Sequence, residues 1–161
     1  MDDLYFMDEA LALAREAAAE GEVPVGSVIV RKVQIVGRGR NRREQHKTAL
    51  GHAEIQAIDE ACRNLGGWRL WECTLYVTLE PCPMCAGAIL SARIPRVVYG
   101  ASDAKFGAVR SVCSLFDMRF NHHPKVEAGI REEEAAALMT QFFQDLRVEL
   151  RSRPKWKPKD N

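Results

Sequence analysis

Apolar residues recur along this chain at two different spacings, and their alternation predicts the order of the structural elements. Runs with an apolar residue every three or four positions indicate amphipathic helices, and short β-branched runs indicate strands. The predicted helices are 1–20, 52–64, 81–92 and 131–151. The predicted strands are 23–30, 33–39, 74–79 and 96–99, with a last brief strand beginning near Val126. The segment 101–124 has no assignable pattern.

Breaks in this pattern indicate where the elements end. The first predicted helix ends at Gly21, the second at the Gly66-Gly67 pair, and the first two strands are expected to form a hairpin turning near residues 31–32. Helices interleaved with strands are typical of an α/β protein with one mixed sheet covered by helices. Because no repeat or linker divides the chain, we expect a single domain over 1–152 and a basic, proline-broken, mobile tail over 153–161.

Length and composition are typical of a globular protein from a reducing compartment. The 161 residues are 47% hydrophobic and 28% charged, and no apolar stretch approaches the roughly 20 residues that span a bilayer. The amino terminus lacks the basic and apolar regions of a signal peptide, so the predicted location is cytoplasmic. Five cysteines, of which only Cys82 and Cys85 are closely spaced, argue against a disulfide framework and for a metal or catalytic role.

Basic residues are concentrated in two segments, although the formal net charge is only +1. Six lie between residues 31 and 43 with no acidic residue, and six lie between 147 and 161 against two acidic ones. Such clusters can neutralise phosphate groups. On charge alone, an ordinary solvated surface is the favoured interpretation.

Two short motifs, His52-Ala53-Glu54 and Pro81-Cys82-Pro83-Met84-Cys85, suggest a metal site with its own proton shuttle. Cys82 and Cys85 are three apart at a predicted helix start, so both thiols face one side and the positive helix end favours thiolates. With His52 they would supply three Zn²⁺ ligands and leave the fourth tetrahedral position for water, as in catalytic zinc sites. Glu54 could then move a proton without binding the metal.

Each motif alone is weak evidence. The H-x-E pattern is common, and a lone C-x-x-C is more often a structural zinc site or a redox pair. In this order and with Pro81 directly before Cys82, however, they match the general signature of zinc deaminases. His122 and His123 could also bind a metal, but three ligands are already present, so this assignment has little weight.

The chain resembles the cytidine deaminase superfamily and, within it, the bacterial tRNA-specific adenosine deaminases. The matching positions extend over nearly the whole sequence: 22–26, Asn41, 52–54, 76–82, 84–88, 96–100, 103–105, 121–122 and 142–143. The resemblance implies a three-layer α/β/α fold with a central mixed five-stranded sheet, and one Zn²⁺ per chain. It also implies hydrolysis of adenosine to inosine at the wobble position of a tRNA anticodon stem-loop, by a homodimer without a membrane partner.

The same resemblance implies roles for individual residues. The zinc ligands would be His52, Cys82 and Cys85, and the proton shuttle would be Glu54. The flipped-out base would be held by Val25, Asn41, Ala53 and Pro81, the last two through the backbone that places the base and the water. The flanking nucleotides would follow Asp103, Lys105, Phe106, Asn121 and His122, and the anticodon loop would contact Phe143 and Arg147. From the residues alone, Val25 and Phe143 could equally be core, Asn41 could cap a turn, and Lys105 could be ordinary surface.

Three positions depart from the pattern usual in this family. Residues 48–51 (TALG) precede His52 where Pro-Thr-Ala is common, Phe106 replaces a small residue, and His123 replaces an arginine. They leave open a variant with an altered or broadened substrate range, including adenine in single-stranded DNA. A deaminase of free guanine or cytosine, or of their nucleosides, is a second alternative because it would use the same zinc chemistry. A non-enzymatic zinc-binding module with Glu54 incidental is the third.

Overall fold

The computed structural model describes residues 2–152 and 154–159. Its helices are α1 (Asp3–Ala19), α2 (Arg43–His46), α3 (Ala53–Leu65), α4 (Pro83–Ser91) and α5 (Glu132–Leu150). Its strands are β1 (Gly26–Arg31), β2 (Gln34–Arg40), β3 (Cys73–Leu79), β4 (Arg96–Ala101) and β5 (Lys125–Ala128). Within the described ranges, no helix is both long enough and apolar enough to cross a membrane.

The five strands form one mixed sheet in the order β2-β1-β3-β4-β5. Strand β1 is antiparallel to both β2 and β3, whereas β3, β4 and β5 are parallel to one another. Helices α3 and α4 pack on one face of the sheet, and α1 and α5 pack on the other. The expected three-layer α/β/α fold with a mixed five-stranded sheet is therefore confirmed.

The first hairpin is displaced from its predicted position. Strand β1 begins at Gly26 because residues 23–25 form a tight turn, in which the Val25 amide donates to the Val23 carbonyl at 2.8 Å. The hairpin turn lies at Lys32 and Val33, whose φ angles of 49° and 57° are typical of the type I′ turn that suits twisted strands. The predicted strand start at residue 23 was therefore wrong, and Val25 lies just ahead of the sheet.

Two glycines in β2 allow α3 to lie unusually close to the sheet. A Cβ atom added to Gly39 would be 2.0 Å from the carbonyl oxygen of Ala53, and one added to Gly37 would be 2.2 Å from that of Ala57. The α3 residues that face the sheet are small as well: Ala53, Ala57 and Ala61 are fully buried. The glycines thus set the height of the first turn of α3 above β2.

Helix α5 has the expected position, but only the first half of its apolar stripe packs against the core, through Ala135, Leu138 and Met139. Ala135 is its one buried residue, and Phe143 is 40% exposed, so the alternative that Phe143 is core is wrong. The second half of the helix instead forms one wall of a cavity of about 1230 Å³.

The segment without an assignable pattern and the described part of the predicted tail contain little regular structure. Residues 102–124 pass from β4 to β5 as turns and one 3₁₀ turn (Leu115–Asp117), which explains their lack of periodicity. Residues 154–159 have neither helix nor strand. Of the predicted tail, Arg153 and residues 160–161 lie outside the described residues, as does Met1 of the predicted first helix.

Candidate active site

The two sequence motifs meet at one edge of the sheet. His52 directly precedes α3, Cys82 directly precedes α4, and Cys85 lies in the first turn of α4. Because β1 is antiparallel to β2 and β3, the ends of β2 and β3 lie at the same edge, and the helices that follow them both start there. His52 Nδ1 is consequently 3.5 Å from Cys82 Sγ and 3.4 Å from Cys85 Sγ.

The geometry of these three side chains fits a zinc ion. Their ligand atoms all lie within 4.8 Å of one another. Zinc–sulfur bonds of about 2.3 Å and zinc–nitrogen bonds of about 2.0 Å at tetrahedral angles would place a nitrogen and a sulfur ligand about 3.5 Å apart. The separations of His52 Nδ1 from the two Sγ atoms, 3.5 and 3.4 Å, agree with this value. Two thiolates and one imidazole are also a donor set that zinc prefers, and three ligands leave one tetrahedral position open.

The three side chains compete for protons in a small space. A hydrogen bond from Cys85 lowers the pKa of Cys82 to about 4, and the same contact raises the pKa of Cys85. The hydrogen bond with Cys82 also raises the pKa of His52. A thiolate is therefore favoured at Cys82, and a cation at this point would replace the shared protons.

Glu54 lies beside these ligands in the first turn of α3 and is only 4% exposed. Burial raises the pKa of Glu54 to about 7, and its carboxylate accepts a hydrogen bond from Cys85. A carboxyl group that titrates near neutral pH can both accept and donate a proton at that pH. The arrangement therefore suits a reaction in which one group takes a proton from water and delivers it elsewhere.

A cavity of about 1230 Å³ opens above the ligands, and most of the predicted site residues line it. Its inner wall includes Val25, Asn41, His52, Ala53, Glu54 and Cys82. Its outer rim includes Asp103, Lys105, Phe106, Phe143 and Arg147. A space of this volume is larger than a single base needs, and its rim carries basic and aromatic side chains.

Asn41 combines two of the roles considered for it. Its side-chain oxygen accepts a hydrogen bond from the amide of Arg43 at 3.2 Å, so it does cap a turn. The backbone amide of Asn41 donates to the carbonyl of Val25 at 3.1 Å, which holds both residues at the inner wall of the cavity. Both are buried, at 7% and 8% exposure, yet both face the cavity.

The rim facing them is formed by a compact turn after β4. The carboxylate of Asp103 accepts hydrogen bonds from the amides of Lys105 and Phe106 at 3.1 and 3.2 Å, which fixes the backbone of this turn. Phe106 is 64% exposed, so its ring is held at the mouth of the cavity with little packing of its own. Lys105 is exposed beside it.

Some predicted site residues do not line this cavity. Cys85 and Pro81 are buried behind it, and the Pro81 carbonyl accepts the Ala108 amide at 2.9 Å. Asn121 and His122 line a separate cavity of about 270 Å³ beside α4. The Nε2–H of His122 donates to the Ile94 carbonyl at 2.7 Å, so this imidazole has a structural partner.

Two buried carboxylates were missed by the sequence analysis. Glu22 and Glu80 are each 2% exposed, and both accept hydrogen bonds from backbone amides of the segments beside the cavity. Glu22 accepts from Glu44 at 2.8 Å, and Glu80 accepts from Arg110 at 2.9 Å. Glu80 could have been noticed as a charged residue directly after the apolar run of β3. Its hydrogen-bond partners could not be predicted from that position.

Comparisons with known proteins identify relatives of this chain. The family model described as MafB19-like deaminase matches residues 1–147. The chain is 48% identical over 147 residues to a tRNA-specific adenosine deaminase of Bacillus subtilis (strain 168), and the match covers 91% of each chain. A solved structure from work on A-to-I editing by tRNA:A34 deaminases at the wobble position of transfer RNA has a TM-score of 0.80 at 46% identity, covering 83% of this chain and 98% of that one. A guanine deaminase from Nitrosomonas europaea, at 21% identity, shares the fold with a TM-score of 0.70, covering 86% of this chain and 83% of that one.

Proposed function

The chain belongs to the family of tRNA-specific adenosine deaminases, and we propose that it hydrolyses adenosine to inosine at the wobble position of a tRNA anticodon. The observation that carries this proposal is the convergence of His52, Cys82 and Cys85 beside the buried carboxylate of Glu54, next to a cavity that His52, Cys82 and Glu54 line. The similarity to a guanine deaminase is one of fold, and the basic and aromatic rim has no evident use for a free base. Adenosine within a nucleic-acid loop is therefore the favoured substrate.

We propose that one Zn²⁺ per chain is held by His52, Cys82 and Cys85. When bound, zinc supplies a Lewis acid that makes a coordinated water nucleophilic at neutral pH. The fit of the two nitrogen–sulfur separations to a tetrahedral ion supports this assignment.

Glu54 is the group that moves protons in this mechanism. It takes one proton from the water that attacks C6 of adenine and delivers it to N1 of the ring, and it then takes the second proton from the oxygen now attached to C6 and delivers it to the amino nitrogen. The C6–N6 bond then breaks, ammonia leaves, and the water oxygen remains on C6 as the carbonyl of inosine. The burial that raises the pKa of Glu54 to about 7 suits a group that must act as a base and then as an acid.

The inner wall of the cavity would hold the flipped-out base. Val25 offers an apolar contact and Asn41 a polar one, while the backbone around Ala53 and Pro81 borders the reacting atoms. Because a base in a loop is already partly unstacked, moving it into such a cavity costs little free energy.

The rim would bind the rest of the anticodon loop. Lys105 and Arg147 bring positive charge toward phosphates, and the exposed rings of Phe106 and Phe143 offer surfaces on which bases can stack. Asp103 shapes the turn that presents two of these four residues.

A homodimer is part of the proposal. Asn121 and His122 lie beside α4, away from the main cavity, so we propose that they contact the nucleotides bound to the other subunit. Val112, Met118 and Phe120 lie in the same segment and are 46–60% exposed, which supports a protein contact there. We also propose that 1–152 forms the single deaminase domain, with 153–161 as a basic tail, and that the protein acts in the cytoplasm, where tRNA is found.

The proposal is tested by incubating purified protein with an anticodon stem-loop containing adenosine at the wobble position and measuring inosine by mass spectrometry. Free adenosine, guanine, cytidine and single-stranded DNA form parallel arms, and metal analysis gives the zinc content. We expect inosine in the stem-loop and one zinc per chain. Conversion of only the free compounds, or of DNA in preference to RNA, would contradict the proposed substrate.

A further inference from the structure

We infer that Glu80 is a positioning residue that holds residues 103–111, the segment that carries Lys105 and Phe106 at the cavity rim, in the conformation that binds nucleic acid. The inference rests on the proposed function. Glu80 directly precedes Pro81-Cys82 and is 2% exposed, so its carboxylate lies inside the protein between the proposed metal site and the rim.

Glu80 accepts hydrogen bonds from both arms of this rim. One carboxylate oxygen accepts from the amide of Asp103 at 3.1 Å and from the Ser111 hydroxyl. The other accepts from the amides of Val109, Arg110 and Ser111 at 3.2, 2.9 and 3.0 Å. Residues Lys105 and Phe106 lie between these two arms, so one side chain closes the turn that presents them.

The space around the carboxylate is closed by a glycine. A Cβ atom added to Gly107 would lie 2.3 to 2.5 Å from the carboxylate atoms of Glu80, so no other residue fits at this position without a shift. Backbone hydrogen bonds from Glu80 to Ala101 at 2.8 Å and from Ala108 to Pro81 at 2.9 Å join the same two segments. The rim is thereby attached directly to the strand that leads into the C-x-x-C helix.

The negative charge is needed because almost every partner is a donor. An ionised carboxylate is acceptor-only and can satisfy several donors, whereas an amide of the same shape would turn an NH₂ group toward backbone N–H groups. A buried donor left without an acceptor destabilises the conformation that buries it. Glu80→Gln therefore perturbs the rim with little change in side-chain volume.

At the mouth of the cavity the turn is held by hydrogen bonds, within the turn to the Asp103 carboxylate and from both arms to Glu80. Phe106 is 64% exposed and Lys105 is exposed, so neither side chain anchors the turn by burial. Loss of the Glu80 contacts is expected to make the turn mobile and to weaken substrate binding before it affects chemistry.

The test compares wild-type protein with Glu80→Gln, and uses Ser111→Ala as the matched control because it removes only the hydroxyl contact. For Glu80→Gln we expect KM for the anticodon stem-loop to rise roughly tenfold, the size expected for the lost charge-assisted hydrogen bonds, with kcat within about threefold of wild type. Hydrogen exchange at the amides of Val109, Arg110 and Ser111 should accelerate, and the zinc content should be unchanged. Ser111→Ala should show a smaller change in each measurement.

A general loss of stability would have a different signature, because a smaller folded fraction lowers the apparent kcat and leaves KM unchanged. That result, an unchanged exchange rate at 109–111, or loss of zinc in Glu80→Gln would overturn the inference. If Glu80→Gln does not fold, Gly107→Ala supplies the same test by pushing a methyl group against the intact carboxylate, with the same expected and contradicting outcomes. If wild-type protein does not convert the stem-loop, the proposed function fails, while the exchange measurement still decides whether Glu80 holds the rim.

Discussion

Replacing Gly39 by alanine tests whether the sheet sets the geometry of the proposed active site. The new methyl group would be placed 2.0 Å from the carbonyl oxygen of Ala53 and 2.8 Å from the amide nitrogen of Ala57. Both atoms belong to the backbone of α3, so no side-chain rotation can relieve the clash. An acceptable separation of at least 3.0 Å requires α3 to retreat by about 1 Å at its first turn.

This shift would act on the residues that the first turn carries. His52 directly precedes Ala53 and Glu54 directly follows it. Cys82 and Cys85 lie at the start of α4, so they would not move with α3. A misplacement of about 1 Å at catalytic groups can lower a rate by about a hundredfold. Overpacking of this kind also costs about 1–3 kcal/mol of folding free energy.

The assay measures zinc affinity by competition with a chromogenic chelator, inosine formation on the anticodon stem-loop, and denaturant unfolding. We expect Gly39→Ala to bind zinc less tightly, to lose most of its kcat and to unfold more easily. Gly67→Ala is the matched control, because a Cβ atom there has nothing within 4 Å. If Gly39→Ala and Gly67→Ala have the same zinc affinity and kcat, the close packing of α3 on β2 does not determine the geometry of the site.

Three further predictions concern single side chains. Glu54→Gln should keep its zinc and lose about 10²–10⁴-fold in kcat, since an amide cannot accept the proton; equal loss in Glu133→Gln, an exposed substitution on α5, would count against a specific role. Phe106→Ala should weaken stem-loop binding by about 1–3 kcal/mol if a base stacks on the ring, while an unchanged KM would exclude stacking. Hydrogen bonds from Arg96 hold the pKa of Asp3 below its usual value, so this ion pair stabilises the folded state at neutral pH. The stabilisation by this pair is lost as the pH falls through the pKa that Asp3 has in the folded state. Asp3→Asn should therefore lower stability by about 1 kcal/mol at pH 7, with a difference from wild type that shrinks in acid; a constant difference across pH would refute this account.

The motifs allowed the central part of the site to be predicted because they are local signals of a fixed geometry. Cys82 and Cys85 face one side because of their spacing. The helix was predicted to start at Pro81, and it starts two residues later, with Pro83 at its first position. That His52 would meet them was implied by the motif pair and by family resemblance. The hydrogen bonds that join His52 to both thiols depend on the antiparallel placement of β1, which no spacing reveals.

Long-range backbone contacts account for what could not be predicted. Glu54 stands in a recognisable motif, whereas Glu80 acts on amides 23 to 31 positions away, and backbone amides have no sequence signature. The hairpin was displaced for a related reason, since β-branched residues favour an extended chain but do not specify where pairing begins. A turn was predicted near residues 31–32 but lies at Lys32 and Val33, since no glycine marks the two positions with positive φ.

Helix α5 shows how one sequence pattern can have either of two structural meanings. An apolar face at helical spacing predicts that something covers it, and inside a domain this is usually the core. Here the first half of the stripe packs against the core through Ala135, Leu138 and Met139. In the second half, Phe143 and Leu146 line the cavity that Glu54 also lines. Apolar side chains left beside an open polar site are suited to exclude water and to contact flat bases, and the neighbouring Arg147 adds charge for the backbone. The feature that made α5 look like an ordinary core helix is therefore the one that gives the proposed deaminase a surface for its RNA loop.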